Sequence, residues 1–398
     1  MKSFEFNFLN TPYIIFGRNT IAHIGEQVRE YGSSATLVVS KTIFETKGVR
    51  EIIEEILAMN GIDYSIFYAS KEPTCEDINE GIDYVRRIKS DVIVCIGGGS
   101  AIDTGKAIAG ITTNEGKTED YMEVFKTGKI LKNPAKPIIA IPTTAGTGSE
   151  ATRNAVVLSK KLKVKSSIRS NNLIPKVAII DSEIMVHQSK ELTASCGMDA
   201  LTQLIESYTS SNSQLITDSL ALLGIRKALE SLVKVYEDGN DISAREDMAF
   251  AALLSGICLA NAGLGAVHGF AGSIGGLLPI PHGVICGALL APVIEENIRT
   301  MLRNIPFHPF LAKYARLGEI ARDLSFEDIR EAMQSLIDYM YNITAVLKIP
   351  KFEDYGLKED NFQQIIENAQ KSSSMRYNPA TLNLEQMEKI LRKATFRS

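Results

Sequence analysis

The sequence predicts a two-domain chain, with an α/β domain built on a parallel sheet followed by an all-α domain. Three observations carry that prediction. The first half alternates short, continuously apolar runs with amphipathic segments joined by short turns, the pattern of strand–helix–strand crossovers covered on both faces. After Val177-Ala-Ile-Ile-Asp181 the alternation stops, and helical periodicity runs to the end. At 398 residues the chain exceeds what one core usually organises. The boundary falls in Gln188-Ser-Lys-Glu-Leu192, giving domains 1–190 and 191–398.

In order along the chain, Thr36–Ser40 reads as a strand. Gly48–Asn60 reads as a helix with Ile52, Ile53, Ile56 and Leu57 on one face, and Ile62–Tyr68 as a second strand. Thr74–Lys89 is a helix capped by Thr74, with Glu76 and Asp77 complementing its dipole. Asp91–Ile96 is a buried strand, Ala101–Ile111 a helix and Pro137–Ile141 a strand. Ligands of such a Rossmann-like sheet sit beyond the carboxyl ends of its strands. Gly97-Gly98-Gly99-Ser100 and Pro142-Thr143-Thr144-Ala-Gly-Thr147-Gly-Ser149 both fall there. Glycines let a backbone approach a pyrophosphate, and first-turn N–H groups point at it. The turn is neither GxGxxG nor a Walker loop, and a tight βα turn without a ligand has the same outline. The second loop, small and rich in hydroxyls, is what points to a nucleotide-type cofactor.

Composition narrows the classes. A net charge of −4 with no basic stripe gives no electrostatic case for nucleic acid. The start, Met1-Lys-Ser-Phe-Glu-Phe-Asn7, lacks the apolar core of a signal peptide. Cysteines 75, 95, 196, 258 and 286 are scattered without a CxxC and read as buried thiols of a reducing, cytoplasmic compartment. No Lys, Arg, Asp or Glu occurs between Asp247 and Glu295, and Met248–Val267 is long enough to span a bilayer. It carries Asn261 and several glycines, is followed at once by His268, Pro279, Pro281 and His282, and has no flanking basic cluster. Two helices buried on all sides, and no membrane, are therefore expected.

The second constellation joins that charge-free region to residues well upstream of it. Asp199 and Gln203 share one helix face. His268 and His282, each followed by glycine, are fourteen residues apart. A carboxylate and two imidazoles suit a divalent metal with a position left for substrate. Hydrogen-bonded core histidines and a helix-start aspartate would fit the same spacing.

Five motifs, Gly97-Gly-Gly-Ser-Ala-Ile-Asp103, Ile141-Pro-Thr-Thr-Ala-Gly-Thr-Gly-Ser-Glu150, Gly197-Met-Asp-Ala-Leu-Thr202, Val267-His-Gly269 and Pro281-His-Gly283, together with Asn378-Pro379, give the chain its resemblance to the iron-containing (group III) alcohol dehydrogenase family over nearly its whole length. The resemblance implies the architecture shared with dehydroquinate synthase, with metal and substrate in the cleft between the domains. It implies reversible hydride transfer between NAD(P)H and a primary alcohol or aldehyde, and commonly a homodimer or larger homo-oligomer. The strand-like Phe4–Phe8 is a candidate for pairing across such an interface. Asp199, His268 and His282 are the expected catalytic and metal residues, holding iron or zinc.

Departures from the family pattern sharpen the expectations. Its usual ligands are Asp, His, His, His, and Gln203 stands where the second ligand should be histidine; Gln203 can ligate through its carbonyl oxygen. Gly272 stands where a further histidine often helps pass protons. After the first strand, Ser40 and Lys41 replace the carboxylate that usually binds the adenosine ribose of NAD, which favours NADP, with Lys41 pairing a 2′-phosphate. The Gly97–Ser100 turn would hold the pyrophosphate, Asp103 would brace the turn, and Thr143, Thr144, Thr147 and Ser149 would line the nucleotide. Phe270 and Leu278 suggest a small, partly apolar substrate; Arg153 and Arg169, if near it, an acidic aldehyde. Alternatives on the same fold are a metal-free oxo-acid reductase of the maleylacetate type, a dehydroquinate-synthase-like cyclase, and a cofactor-binding protein without catalysis.

Overall fold

The computed structural model describes residues 6–46, 48–305 and 307–397. The chain forms two compact units. A sheet unit comprises 9–188 together with 239–249, and a helical unit comprises 189–238 and 250–398 with the N-terminal stretch.

The sheet unit runs β1 (Tyr13–Phe16), α1 (Ile24–Arg29), β2 (Ser34–Ser40), α2 (Lys41–Phe44), α3 (Val49–Met59), β3 (Asp63–Ala69), α4 (Cys75–Ile88), β4 (Val92–Gly97) and α5 (Gly99–Thr112). It continues with β5 (Ile138–Pro142), β6 (Asn154–Ser159), β7 (Val164–Arg169) and β8 (Val177–Ile180). Among the described residues, six strands pair in the order β1-β8-β5-β4-β2-β3, every neighbour parallel. The central β4 is buried along its whole length, which is why Val-Ile-Val-Cys-Ile reads as an unbroken apolar run. Thr74 caps α4 by accepting the Asp77 N–H, and Asp77 returns a bond to the Thr74 N–H. The strands predicted from the sequence start or end within two residues of those observed. β1 and the antiparallel β6–β7 hairpin were not anticipated. β1 is only four residues long, and the hairpin turns through the lysine-rich 160–163, which has the composition of a solvated loop. Of the strand-like Phe4–Phe8, residues 4 and 5 lie outside the described residues and 6–8 are not in a strand.

One buried polar knot holds this unit's ligand end together. Lys106 on α5 is fully buried. Its Nζ donates to the Ser149 carbonyl at 2.9 Å, to Thr152 Oγ1 at 2.9 Å and to Ser149 Oγ at 3.2 Å, and lies 3.8 Å from Asp103 Oδ1. Asp103 accepts the Ser149 hydroxyl and the Val156 N–H. Burial pushes the Asp103 carboxyl up and the Lys106 ammonium down, and each charge opposes the shift of the other. Helix α5 is thereby tied to the loop after β5 and to β6.

The helical unit contains α6 (Lys190–Thr209), α7 (Leu215–Glu237), most of α8 (Ile242–Ala262), α9 (Ala266–Leu277), α10 (His282–Asn304), α11 (Pro309–Arg322), α12 (Ile329–Val346), α13 (Phe362–Gln370) and α14 (Leu384–Thr395). The start of α8 belongs to the sheet unit, where Glu246 pairs with Arg18 at 2.7 Å. Among the described residues no single helix is long and apolar enough to cross a membrane. The charge-free stretch instead breaks between α8 and α9 with a bend of 102°. Helix α10 is buried from Val284 to Ile298 and packs on α6, α9, α12 and α14. Phe270, expected beside a substrate, is fully buried in this core, because it lies on the inward face of α9.

Removing one partner of a buried ion pair leaves the other charge uncompensated and typically costs about 3–5 kcal/mol. Lys106→Met should therefore lower the denaturation midpoint sharply, and adding Asp103→Asn should recover part of the loss. Equal midpoints for wild type and Lys106→Met would show that the knot contributes nothing.

Candidate active site

Helix α6 carries Asp199, Gln203 and Glu206 at i, i+4 and i+7, a single inward face. All three side chains are buried. His268 enters from the first turn of α9, and His282 is the first residue of α10. Asp199 Oδ1 lies 3.5 Å from His268 Nε2 and 3.6 Å from His282 Nε2. Cys286, one turn after His282, places its Sγ 3.7 Å from His268 Nε2 and 3.6 Å from His282 Nε2. One ligand atom from each of Asp199, His268, His282 and Cys286 lies within 4.8 Å of the others. Oxygen, nitrogen and sulfur donors converging this closely fit a divalent transition metal.

Glu206 sets the orientation of His268. Its Oε2 lies 2.7 Å from His268 Nδ1, and its Oε1 accepts the Val267 N–H at 2.7 Å. An imidazole held at Nδ1 by a carboxylate presents Nε2 as its free ligand atom. The same carboxylate sits on the N-terminus of α9, where unpaired N–H groups and the helix dipole compensate its charge. Asn378 completes this cap by accepting the Ala266 N–H at 3.1 Å, and it exchanges two hydrogen bonds with Asn297. The Asn378-Pro379 motif thus holds the start of the helix that carries His268. Gln203 reaches the site as well, its Nε2 donating to Asp199 Oδ1 at 3.3 Å while its Oε1 accepts the Ser255 hydroxyl at 2.8 Å.

Burial would raise the Asp199 carboxyl, but His282 and His268 together hold it below the usual range. Burial would lower the His268 imidazolium, yet Cys286, Asp199 and Glu206 hold it well above its ordinary value. Burial pushes the Cys286 thiol up to about 12.

In the sheet unit the predicted cofactor residues also come together. Gly97 has φ +155°, and a Cβ there would lie 2.7 Å from Ala101 Cβ and 2.9 Å from Ser40 Cβ. A Cβ on Gly98 would meet Thr144 Oγ1 at 3.1 Å, and one on Gly99 would meet Thr147 at 2.7 Å. The turn after β4 therefore packs between Ser40, at the end of β2, and the hydroxyl loop after β5. Ser100, the second residue of α5, donates its hydroxyl to the Lys71 carbonyl at 2.6 Å. Thr143 is buried after β5, with its N–H on the Gly97 carbonyl at 3.0 Å, and Ser149 and Asp103 belong to the lysine knot. Lys41 begins α2, exposed, with its Nζ 3.9 Å from Glu45. Arg153 is bonded to Asn171, while Arg169 holds Asn154 and lies 3.4 Å from Glu123. Both arginines are thus engaged in local structure.

Two participants escaped the sequence reading. Glu206 was visible as the i+7 partner of Asp199, and Cys286 as the i+4 partner of His282 on one helix face.

Backbone contact fixes the spacing of the two ligand-bearing helices, because a Cβ on Gly283 would lie 2.1 Å from the Ser195 carbonyl oxygen. Gly283→Ala must push the start of α10, with His282, away from α6. Metal affinity should fall at least about tenfold, by analogy with disturbance of ligand-supporting residues. Direct metal titration checks this, and unchanged affinity would contradict it.

The sequence and fold have close counterparts. The N-terminal model of the iron-containing alcohol dehydrogenases matches residues 11–182, and the C-terminal model of the Fe-containing alcohol dehydrogenase family matches residues 193–395. Alcohol dehydrogenase 4 of Saccharomyces cerevisiae is 35% identical over 386 residues, covering 96% of this chain and 97% of that protein. The NAD-dependent methanol dehydrogenase of Bacillus methanolicus is 31% identical over 394 residues, covering 98% and 99%. The crystal structure of a 1,3-propanediol oxidoreductase superposes with a TM-score of 0.89 at 34% identity, covering 98% of this chain and all of that one. With both halves matched and the metal-ligand geometry in place, the chain belongs to the iron-containing alcohol dehydrogenase family.

Proposed function

We infer that this chain is an NAD(P)-dependent oxidoreductase that interconverts small alcohols and aldehydes at a metal-binding site. The observation that carries the reading is the convergence of Asp199, His268 and His282, with Glu206 fixing the ring of His268. When bound, the metal supplies Lewis acidity to a carbonyl or alkoxide oxygen, and the nicotinamide donates or accepts the hydride at the attached carbon. Asp199 holds its negative charge in a buried site, and Gln203 steadies it by donating an amide N–H. Glu206 keeps the proton of His268 on Nδ1, so that Nε2 faces inward. The side chain of His282 is 37% exposed against 8% for His268, which puts the accessible face of the cluster on the His282 side. In the sheet unit, Gly97–Ser100 offers first-turn N–H groups to a pyrophosphate, while Thr143, Thr144, Thr147 and Ser149 line the nucleotide.

The relatives named for methanol and 1,3-propanediol act on short, uncharged alcohols. With both candidate arginines engaged elsewhere, a short primary alcohol or its aldehyde is the substrate class we propose here. His282→Ala should lose activity on a panel of such substrates by about 100-fold or more, since even residues that only support ligands cost about 10–100-fold, and should be purified with less metal. Retained activity in that variant, or full activity of wild type after exhaustive chelation, would favour a metal-free reductase.

For the cofactor we propose a preference for NADPH over NADH. Ser40 and Lys41 place no carboxylate at these two positions, and Lys41, whose Nζ lies 3.9 Å from Glu45, is the cation that would pair a 2′-phosphate. The Bacillus methanolicus relative is NAD-dependent, so the preference rests on these two residues alone. Lys41→Ala should raise the KM for NADPH about tenfold, as expected for losing about 1.4 kcal/mol of a charge-assisted contact, and leave that for NADH unchanged. Equal efficiency with both cofactors, unaltered in the variant, would remove the preference.

A further inference from the structure

We propose that Cys286 is the fourth protein ligand of the metal site, a thiolate that replaces the imidazole missing at position 203 and turns the site toward zinc. The proposal rests on the metal-binding reading of Asp199, His268 and His282 and extends it to a residue outside the family's Asp, His, His, His set.

Geometry is the first support. Bonds of about 2.0 Å to oxygen, 2.05 Å to nitrogen and 2.3 Å to sulfur at tetrahedral angles put O···N edges near 3.3 Å and S···N edges near 3.55 Å. The corresponding edges here are 3.5 and 3.6 Å from Asp199 Oδ1, and 3.7 and 3.6 Å from Cys286 Sγ, to the two imidazoles. Four of the six edges of the donor set are therefore close to those of a slightly expanded coordination tetrahedron, and the sulfur lies at nearly the same distance from both histidines.

The competing donor is engaged in hydrogen bonds. The carbonyl oxygen of Gln203 lies 2.8 Å from the Ser255 hydroxyl, which it shares as acceptor with the Ala252 carbonyl, and its amide nitrogen, which has no lone pair to give a metal, lies 3.3 Å from Asp199 Oδ1. Gln203 is thus a positioning residue for the aspartate. Local structure explains how cysteine can fill the place. Cys286 follows His282 by four residues on α10, so both side chains project from one helix face, and Cys286 is buried.

Chemistry completes the argument. With a divalent ion bound, the Cys286 thiol would give its proton to solvent and ligate as the thiolate, the imidazoles would ligate as neutral bases through Nε2, and Asp199 as the carboxylate. Two anionic ligands then balance the two positive charges of the ion. A thiolate is a soft donor, and a mixed sulfur, nitrogen and oxygen set suits zinc better than the harder iron(II) ion. The more exposed His282 side is the one open to substrate.

The test is spectroscopic. Chelated wild-type protein is loaded with cobalt(II), and the near-ultraviolet thiolate-to-cobalt charge-transfer band is recorded with metal content per chain. One equivalent with that band, lost in Cys286→Ser while cobalt still binds, is the expected result. Zinc affinity should also fall more than about 100-fold in the variant, beyond the range for residues that merely support ligands. Should the variant fold poorly, X-ray absorption on zinc-loaded wild type gives the same answer through one sulfur scatterer at about 2.3 Å. One equivalent of metal with no charge-transfer band and only nitrogen and oxygen scatterers would overturn the cysteine ligand while leaving the metal site standing. No metal bound by wild type would overturn the metal reading itself, and this proposal with it.

Discussion

Two carboxylates, Asp199 and Glu206, stand one above the other on α6 in surroundings that contain almost no other charge. A buried carboxylate is tolerated only when it is paired or hydrogen-bonded, and the helical unit is arranged around that constraint. Glu206 is compensated by the N-terminus of α9 and by the Nδ1 side of His268. Asp199 faces His268 and His282, with one amide hydrogen bond from Gln203. His268 lies between the two carboxylates and can carry only one positive charge. A divalent cation among Asp199, His268 and His282 is the species that completes the charge balance. Helix starts, glycine contacts and the Asn297–Asn378 pair then serve to hold those few atoms in register.

The sheet unit meets a different constraint with the same economy of parts. A parallel sheet puts its binding loops at the carboxyl ends of its strands, where backbone must run close to backbone and to ligand. Gly97, Gly98 and Gly99 permit that approach to Ser40, Thr144 and Thr147. The loop carrying the threonines has no regular ladder of its own to stiffen it, and the buried Lys106 supplies the bonds instead. Glu150, in the same loop, has its carboxyl raised to about 7 by burial. Asp103 and Lys106 on α5 and Glu150 in the loop are three buried ionisable side chains that fix the position of the loop at a cost in desolvation.

The fold was legible because its signals are local. Unbroken apolar runs, a capping Thr74 and glycine turns each report on neighbours a few residues apart. The short β1 and the β6–β7 hairpin were missed, since a four-residue run and an alternating strand beside a lysine-rich turn carry no strong local signal. At the site, Asp199, His268 and His282 were read from residue type and motif. Gln203 could be placed at the site but not oriented, because its orientation depends on Ser255, fifty-two residues away. Cys286 looked like one more buried thiol, since its meaning comes from His268 on another helix. Phe270 failed the other way, because an apolar residue beside a ligand histidine has two faces to choose from, and the sequence does not say which one is core.

A thiolate in place of an imidazole changes more than the ligand count. Asp, His, His, His around a divalent ion leaves one net positive charge on the site, whereas Asp, His, His, Cys leaves none. A neutral site would supply less Lewis acidity than a positively charged one, so more of the work of activation would fall on orientation and on exclusion of water. In exchange, the sulfur draws a borderline-soft ion into a site that would otherwise lack its fourth donor, and it adds no redox chemistry when that ion is zinc. Loss of the histidine at 203 and presence of cysteine at 286 are, on this view, one change seen at two positions. The geometry around Asp199 is what couples them, because both side chains reach for the same carboxylate and only one of them has a free donor atom to offer.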